Sequence, residues 1–291
     1  MDLSKIGVLG FLDALSSAET IRFARNVERC GYSVLWVPEL MGREIFSLST
    51  HILSQTERLV VGTGVAIAFS YEPIVVAGVA KTLGEFFEDR FILGLGVSNA
   101  SANARRGVAY EKPLGFMRDY IAKIKAAPYN APAPQHAPPV LIAAMMPKML
   151  RLAATETQGT LTYFTTTEQI GRAREALGPQ PWLCAVQAVI LETDPEKARS
   201  MARRYMKTYL AIDHYVYRLK RLGYGNEDFA NGGSDRLVDA IVAWGDEEKI
   251  QLHIAKQLTA GATHVSILPL HPDGGLRPDE RAIEALAPPQ A

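Results

Sequence analysis

Short apolar runs alternate with amphipathic stretches along nearly the whole chain. The runs at 5–11 (KIGVLGF), 33–37 (SVLWV), 58–65 (RLVVGTGV), 90–97 (RFILGLGV), 139–143 (PVLIA), 160–164 (TLTYF), 183–191 (LCAVQAVIL) and 264–268 (HVSIL) have strand length and β-branched content. Between them the apolar positions return at helical spacing. Over 73–87, Ile74, Ala77, Leu83 and Phe87 are read on one face, and a helix over 16–30 stops at Gly31, where a C-terminal cap belongs. Strands that alternate with helices run parallel, because each crossover carries the chain back to the end it left. Eight such units predict an α/β fold of the closed (β/α)8 type, a TIM barrel, with its ligand site at the C-terminal ends of the strands.

Two stretches depart from the simple repeat. Residues 127–139 (APYNAPAPQHAPP) are too rich in proline for a helix and read as an extended surface connection. Residues 205–245 carry extra helical patterns, YMKTYLAIDHYVYRLKRLGY and SDRLVDAIVAWG, and read as a helical insertion before the last strand. Ser234 or Asp235 caps the second pattern, although Leu237 stands where a full capping box would have Glu or Gln. Residues 1–291 are read as one domain, since barrels of about 250 residues commonly form a single unit.

Composition narrows the partner. The 31 basic and 31 acidic side chains cancel, which leaves no electrostatic footprint for nucleic acid or an anionic membrane and favours a small-molecule ligand. Cys30 and Cys184 lie far apart and form no C-x-x-C, so neither a disulfide framework nor a zinc site is expected, and a cytoplasmic setting is. No apolar stretch approaches the roughly 18 residues of a membrane span, and no leader pattern opens the chain, so the reading is of a soluble, unprocessed protein. His51, His136, His214, His253, His264 and His271 make no ligand cluster, and no metal is expected. Tyr205, Tyr209, Tyr215 and Tyr217 read first as packing, though an insertion across a barrel mouth also suits a lid.

The strand ends carry the candidate chemistry. Gly94-Leu95-Gly96 resembles a nucleotide-binding turn, yet Asn99 occupies the sixth position of G-x-G-x-x-G, so the dinucleotide motif fails. The glycines instead let a strand end close under a ligand, with Gly96, Val97, Ser98 and Asn99 presenting backbone and short side chains. Arg105 and Arg106 are read either as contacts to a substrate or an anionic cofactor tail, or as solvated loop charges. Pro147 suits the first position of a helix, whose free N–H groups and positive dipole end favour phosphate. Glu39 is the acid at an early strand end and the candidate for general acid–base work.

The segments GYSVLWVPEL (31–40), 58–99, APPVLIAAMMPKMLRLAAT (137–155) and 232–267, taken in order, resemble the bacterial luciferase-like family, in its branch that uses coenzyme F420, an 8-hydroxy-5-deazaflavin. The resemblance implies a barrel with a redox cofactor across its mouth, and commonly a homodimer. It implies that Thr63, Gly64 and Val65 back the central ring through a bulge, often with a non-proline cis peptide, and that Gly96, Val97 and Ser98 line it. It also places the phosphate-bearing tail near Ala143, Ala144, Met145 and Met146, where many relatives carry glycine. A histidine follows the acid in some sugar-phosphate-oxidising relatives, but Leu40 follows Glu39 here, which argues against their mechanism. The expected activity is hydride transfer between C5 of F420 and an organic substrate. An FMN-dependent monooxygenase of the same family and a non-catalytic (deaza)flavin-binding protein are the alternatives.

Overall fold

The structure is a computed structural model that describes Leu3 and residues 5–289. Ten strands are present among these residues: β1 Ile6–Leu9, β2 Val34–Val37, β3 Val60–Thr63, β4 Ala66–Ile67, β5 Phe91–Gly96, β6 Val140–Ala143, β7 Gly159–Thr162, β8 Trp182–Leu191, β9 Val242–Gly245 and β10 His264–Pro269. Eight of them close a parallel barrel in the order β1, β2, β3, β5, β6, β7, β8, β10, with β10 returning to β1. All eight apolar runs of the sequence are barrel strands, so the predicted TIM barrel is the observed fold.

Local signals set the helix boundaries. Ser16 and Thr166 form full capping boxes with Glu19 and Gln169, and Ser234 accepts from the Leu237 amide, as its sequence position suggests. Gly31, with φ +85°, ends the first helix in the left-handed region that glycine tolerates. The helix Pro73–Phe86 turns a different face inward from the one read in the sequence. Val76, Ala77, Ala80 and Leu83 are buried, whereas Ile74 is 49% exposed. At 100° per residue Ile74 lies about 120° round from Ala80, outside the buried stripe.

The insertion holds a strand that the sequence pattern hid. The helix Asp235–Ile241 stops at Val242, and Val242–Gly245, read above as the end of that helix, forms β9. The long β8 explains it. Its residues Cys184–Val189 pair with β10, while on the opposite edge β7 covers only Trp182–Ala185. β9 takes over that edge at Ala188–Leu191 and satisfies backbone groups that would otherwise be bare.

Inside the barrel, Leu9, Trp36, Ile92, Leu141, Leu161 and Cys184 form a dry plug. The Trp36 indole N–H donates to His264 Nε2 at 3.2 Å, so the one large polar edge in the plug is satisfied. Among the described residues no helix is long and apolar enough to cross a membrane.

The ends of β3 and β5 are locked by one side chain. Thr63 Oγ1 accepts from the Gly94 amide at 2.8 Å and donates to the Gly94 carbonyl at 2.7 Å. A Cβ on Gly94 would sit 2.0 Å from the Thr63 carbonyl oxygen, a backbone atom that cannot swing away. We therefore expect Gly94→Ala to destabilise the fold by about 3 kcal/mol through overpacking, measured by urea denaturation; unchanged stability would mean that the strand ends are not fixed in this way.

Candidate active site

Above the plug, at the C-terminal ends of the strands, lies a cavity of about 580 Å³. Its floor comes from Gly64 and Val65 after β3, from Gly96, Val97, Ser98 and Asn99 at and after the end of β5, and from Ala143, Ala144, Met145 and Met146 at and after the end of β6. Pro38, Glu39 and Leu40, after β2, form one side wall. The opposite wall is aromatic: Tyr163 after β7, Tyr209, and His214, Tyr215, Tyr217 and Arg218 on or beside the helix Asp213–Lys220.

Backbone geometry shapes the floor. The Gly64–Val65 peptide is cis, at the position where the resemblance places such a bond. The Gly64 amide donates to the Val37 carbonyl at 2.7 Å, which ties this turn to β2. Gly96 leaves room for the Val65 side chain, since a Cβ there would stand 2.4 Å from Val65 Cγ2. Ser98 has φ +56°, and the loop carrying it is stapled by the fully buried Asn103, whose Nδ2 donates to the carbonyls of Val97 and Asn99. The Asn99 side chain caps the next helix by accepting from the Ala102 amide, so it reaches the cavity with its oxygen already engaged.

The third part of the floor leads into the helix Pro147–Glu156. The Ala144 amide donates to Thr160 Oγ1, which in turn donates to the Ile142 carbonyl, and this fixes the turn after β6. Met146 occupies the cap position without a side-chain cap, and Pro147 follows as expected. Lys148 and Met149, in the first turn, line the cavity. An uncapped helix start and a lysine therefore border the cavity, an arrangement suited to phosphate.

Glu39 is fixed in position. Its side chain is 7% exposed, accepts from the Ile67 amide at 2.7 Å and lies 3.6 Å from Arg106. Burial is the largest influence and raises its pKa above the ordinary value, against the Ile67 N–H and the Arg106 charge.

Two sequence expectations, Thr63 and Arg106, need correction, and for Arg105 the alternative of a solvated charge holds. Thr63 is fully buried beneath the floor, bonded to Gly94, and is not among the residues lining the cavity. Arg106 does not line the cavity either. Its guanidinium faces Glu39 and donates to the Leu40 carbonyl at 2.6 Å, because the capped helix Ala100–Arg105 carries it back toward β2. Arg105 is exposed on the last turn of that helix and is likewise absent from the lining.

Tyr163, His214 and Arg218 are cavity residues that the sequence reading did not select. The spacing i, i+1, i+4 of His214, Tyr215 and Arg218 is the signal that puts them on one helix face. The tyrosine group divides between the two roles considered for it. Tyr205 is packed under Tyr163, to whose hydroxyl it donates at 3.0 Å, whereas Tyr209, Tyr215 and Tyr217 reach the cavity. No group of three His, Cys, Asp or Glu side chains among the described residues could hold a metal.

Comparison with known proteins finds relatives and structural neighbours of this fold. The model of the luciferase-like monooxygenase family matches residues 10–264. A 5,10-methylenetetrahydromethanopterin reductase of Archaeoglobus fulgidus is 25% identical, over 82% of this chain and 80% of its own. Among solved structures, the coenzyme F420-dependent tetrahydromethanopterin reductase of Methanopyrus kandleri superposes with a TM-score of 0.75 at 17% identity, covering 99% of this chain and 98% of that one. The oxygenating constituent of 3,6-diketocamphane monooxygenase of Pseudomonas putida, in complex with FMN, gives 0.73 at 13% identity, with 97% of each chain covered.

The raised pKa of Glu39 has a definite sign in stability. Its folded-state value lies above the unfolded value, so its contribution is fully present below the unfolded pKa and is lost as pH rises through the folded one. Glu39→Gln mimics the protonated form, so its stability relative to wild type is expected to increase as pH rises from 4 toward 7. Urea denaturation across that range checks it, and a difference that shrinks with pH would contradict the assignment.

Proposed function

The chain belongs to the luciferase-like monooxygenase family, and from that membership and its cavity floor we propose that it is an F420-dependent oxidoreductase that transfers a hydride between C5 of the deazaflavin and a small organic substrate. The observation that carries this reading is the conjunction of a side-chain-poor floor with an uncapped helix start. The small Ala143 and Ala144 and the cavity-lining backbone at Gly64 and Gly96 present little bulk to a flat ring, and the first turn of Pro147–Glu156 with Lys148 suits a phosphate-bearing tail. The residues therefore fit the cofactor. When bound, the deazaflavin supplies a carbon centre in place of the flavin N5, which makes it a hydride carrier with little oxygen reactivity.

The protein's own part is positional. Val65, seated in the space that Gly96 leaves, would back a ring held on this floor. The tyrosine wall excludes water from the space above the ring and suits a substrate with a flat, unsaturated body. Glu39, buried and held by the Ile67 amide, is placed to hold or deliver a proton at the substrate side of the cavity. The likeness to the Archaeoglobus fulgidus reductase supports a reductive direction, away from the deazaflavin. The FMN-bound neighbour supports one second reading, a monooxygenase using FMN in the same cavity.

Parallel titrations with F420 and FMN test the proposal. Saturable F420 binding with much weaker FMN binding is the expected result, and Gly96→Val should weaken F420 by at least about tenfold in Kd. Preference for FMN would move the function to monooxygenase chemistry, and binding of neither would remove the cofactor assignment.

A further inference from the structure

The helix Asp213–Lys220 brings a guanidinium into the cavity wall without a counter-charge. Arg218 is only 6% exposed, yet it lines the cavity. Its Nη2 makes two long hydrogen bonds, 3.4 Å to the Tyr163 carbonyl and 3.3 Å to the Phe164 carbonyl. Nε and Nη1 are buried and have no hydrogen-bond partner among the described residues. The Tyr215 ring lies over the guanidinium, 4.8 Å from its central carbon, and His214 stacks on Tyr215 at 4.0 Å.

A structural clamp does not account for this arrangement. One Nη alone reaches both carbonyls, so the remaining donors hold nothing and their burial opposes folding. Burial lowers the pKa to about 10, with no carboxylate among the influences on it, so the group stays cationic at neutral pH. His214 offers no competing charge, because packing around its ring and the Arg218 charge both disfavour its protonated form. A planar guanidinium fork with unpartnered N–H groups at Nε and Nη1, beside three tyrosines, suits a planar anion on an unsaturated molecule.

We propose that Arg218 is a specificity-determining residue that receives a carboxylate of the substrate, carried on a flat, unsaturated body that lies along Tyr209, Tyr215 and Tyr217. The carboxylate meets the Nη1–Nη2 end of the guanidinium and supplies the missing partner of Nη1. The cofactor tail has its own cationic place at Lys148, on the turn after β6, whereas Arg218 packs on the loop after β7. This inference rests on the cofactor reading above only in calling the ligand a substrate.

Benzoate and its neutral isostere benzamide are the probes, titrated by saturation-transfer NMR into wild type and Arg218→Met, with F420 affinity measured on the same samples. Wild type should prefer benzoate by at least about tenfold, and the preference should disappear in Arg218→Met with F420 affinity kept. Arg218→Lys retains the charge without the fork and should lose a large part of the preference; it also serves if the methionine variant does not fold. Equal binding of the two probes by wild type, or a full preference in either variant, overturns the proposal. So does a loss of F420 binding above about tenfold in Arg218→Met, which would assign the guanidinium to the cofactor tail. If wild type binds no F420 but keeps an Arg218-dependent benzoate preference, the carboxylate site stands and the cofactor reading falls.

Discussion

The close approach of β3 and β5 at Thr63 and Gly94 is the constraint on which the site depends. Thr63 Oγ1 bonds both the amide and the carbonyl of Gly94, and the missing Cβ of Gly94 admits the Thr63 carbonyl. The end of β3 is therefore fixed against β5 two residues before β5 ends. Gly64 and Val65 rise from one end and Gly96, Val97 and Ser98 from the other, with Val65 seated in the space that Gly96 leaves. Below them Trp36, Leu9 and Leu161 fill the barrel, so the floor rests on a close-packed layer that cannot give way.

Charge in the cavity is sparse and separated. Glu39 on one wall is tied to a backbone amide and faced from behind by Arg106, while Arg218 on the other has no acid beside it. Lys148 stands at a helix start on the third side. Most of the remaining lining is apolar or aromatic, with Ser98, Asn99 and His214 as its other polar side chains, which suits a flat ligand held by shape. Burial pushes up the pKa values of Tyr163, Tyr205 and Tyr209, so their linked hydroxyls act as neutral hydrogen-bonding groups.

The barrel was legible in the sequence because each strand is a short apolar run bounded by polar or glycine-containing turns, a local signal that survives without tertiary information. β9 was not, because Val242–Gly245 continues an apolar helical pattern and becomes a strand only when the uncovered edge of β8 is known. The floor residues were legible as small or unusual residues at strand ends, apart from Thr63, whose side chain points away from the cavity to Gly94. Arg106 and Arg218 show the limit most clearly. The first stands in a loop that seemed aimed at the ligand, yet a helix capped by Asn99 turns it to Glu39. The second lies in an amphipathic insertion, and only the folding of that insertion across the mouth turns a surface-type arginine into a buried donor.

The central claim is that this floor seats a deazaflavin, and a crystal structure of the protein with oxidised F420 tests it most directly. The account predicts the central ring against Gly64 and Val65, the phosphate-bearing tail at the start of Pro147–Glu156 beside Lys148, and an open space between the ring and the tyrosine wall. A ring bound outside this cavity, or one whose tail runs to Arg218, would contradict it.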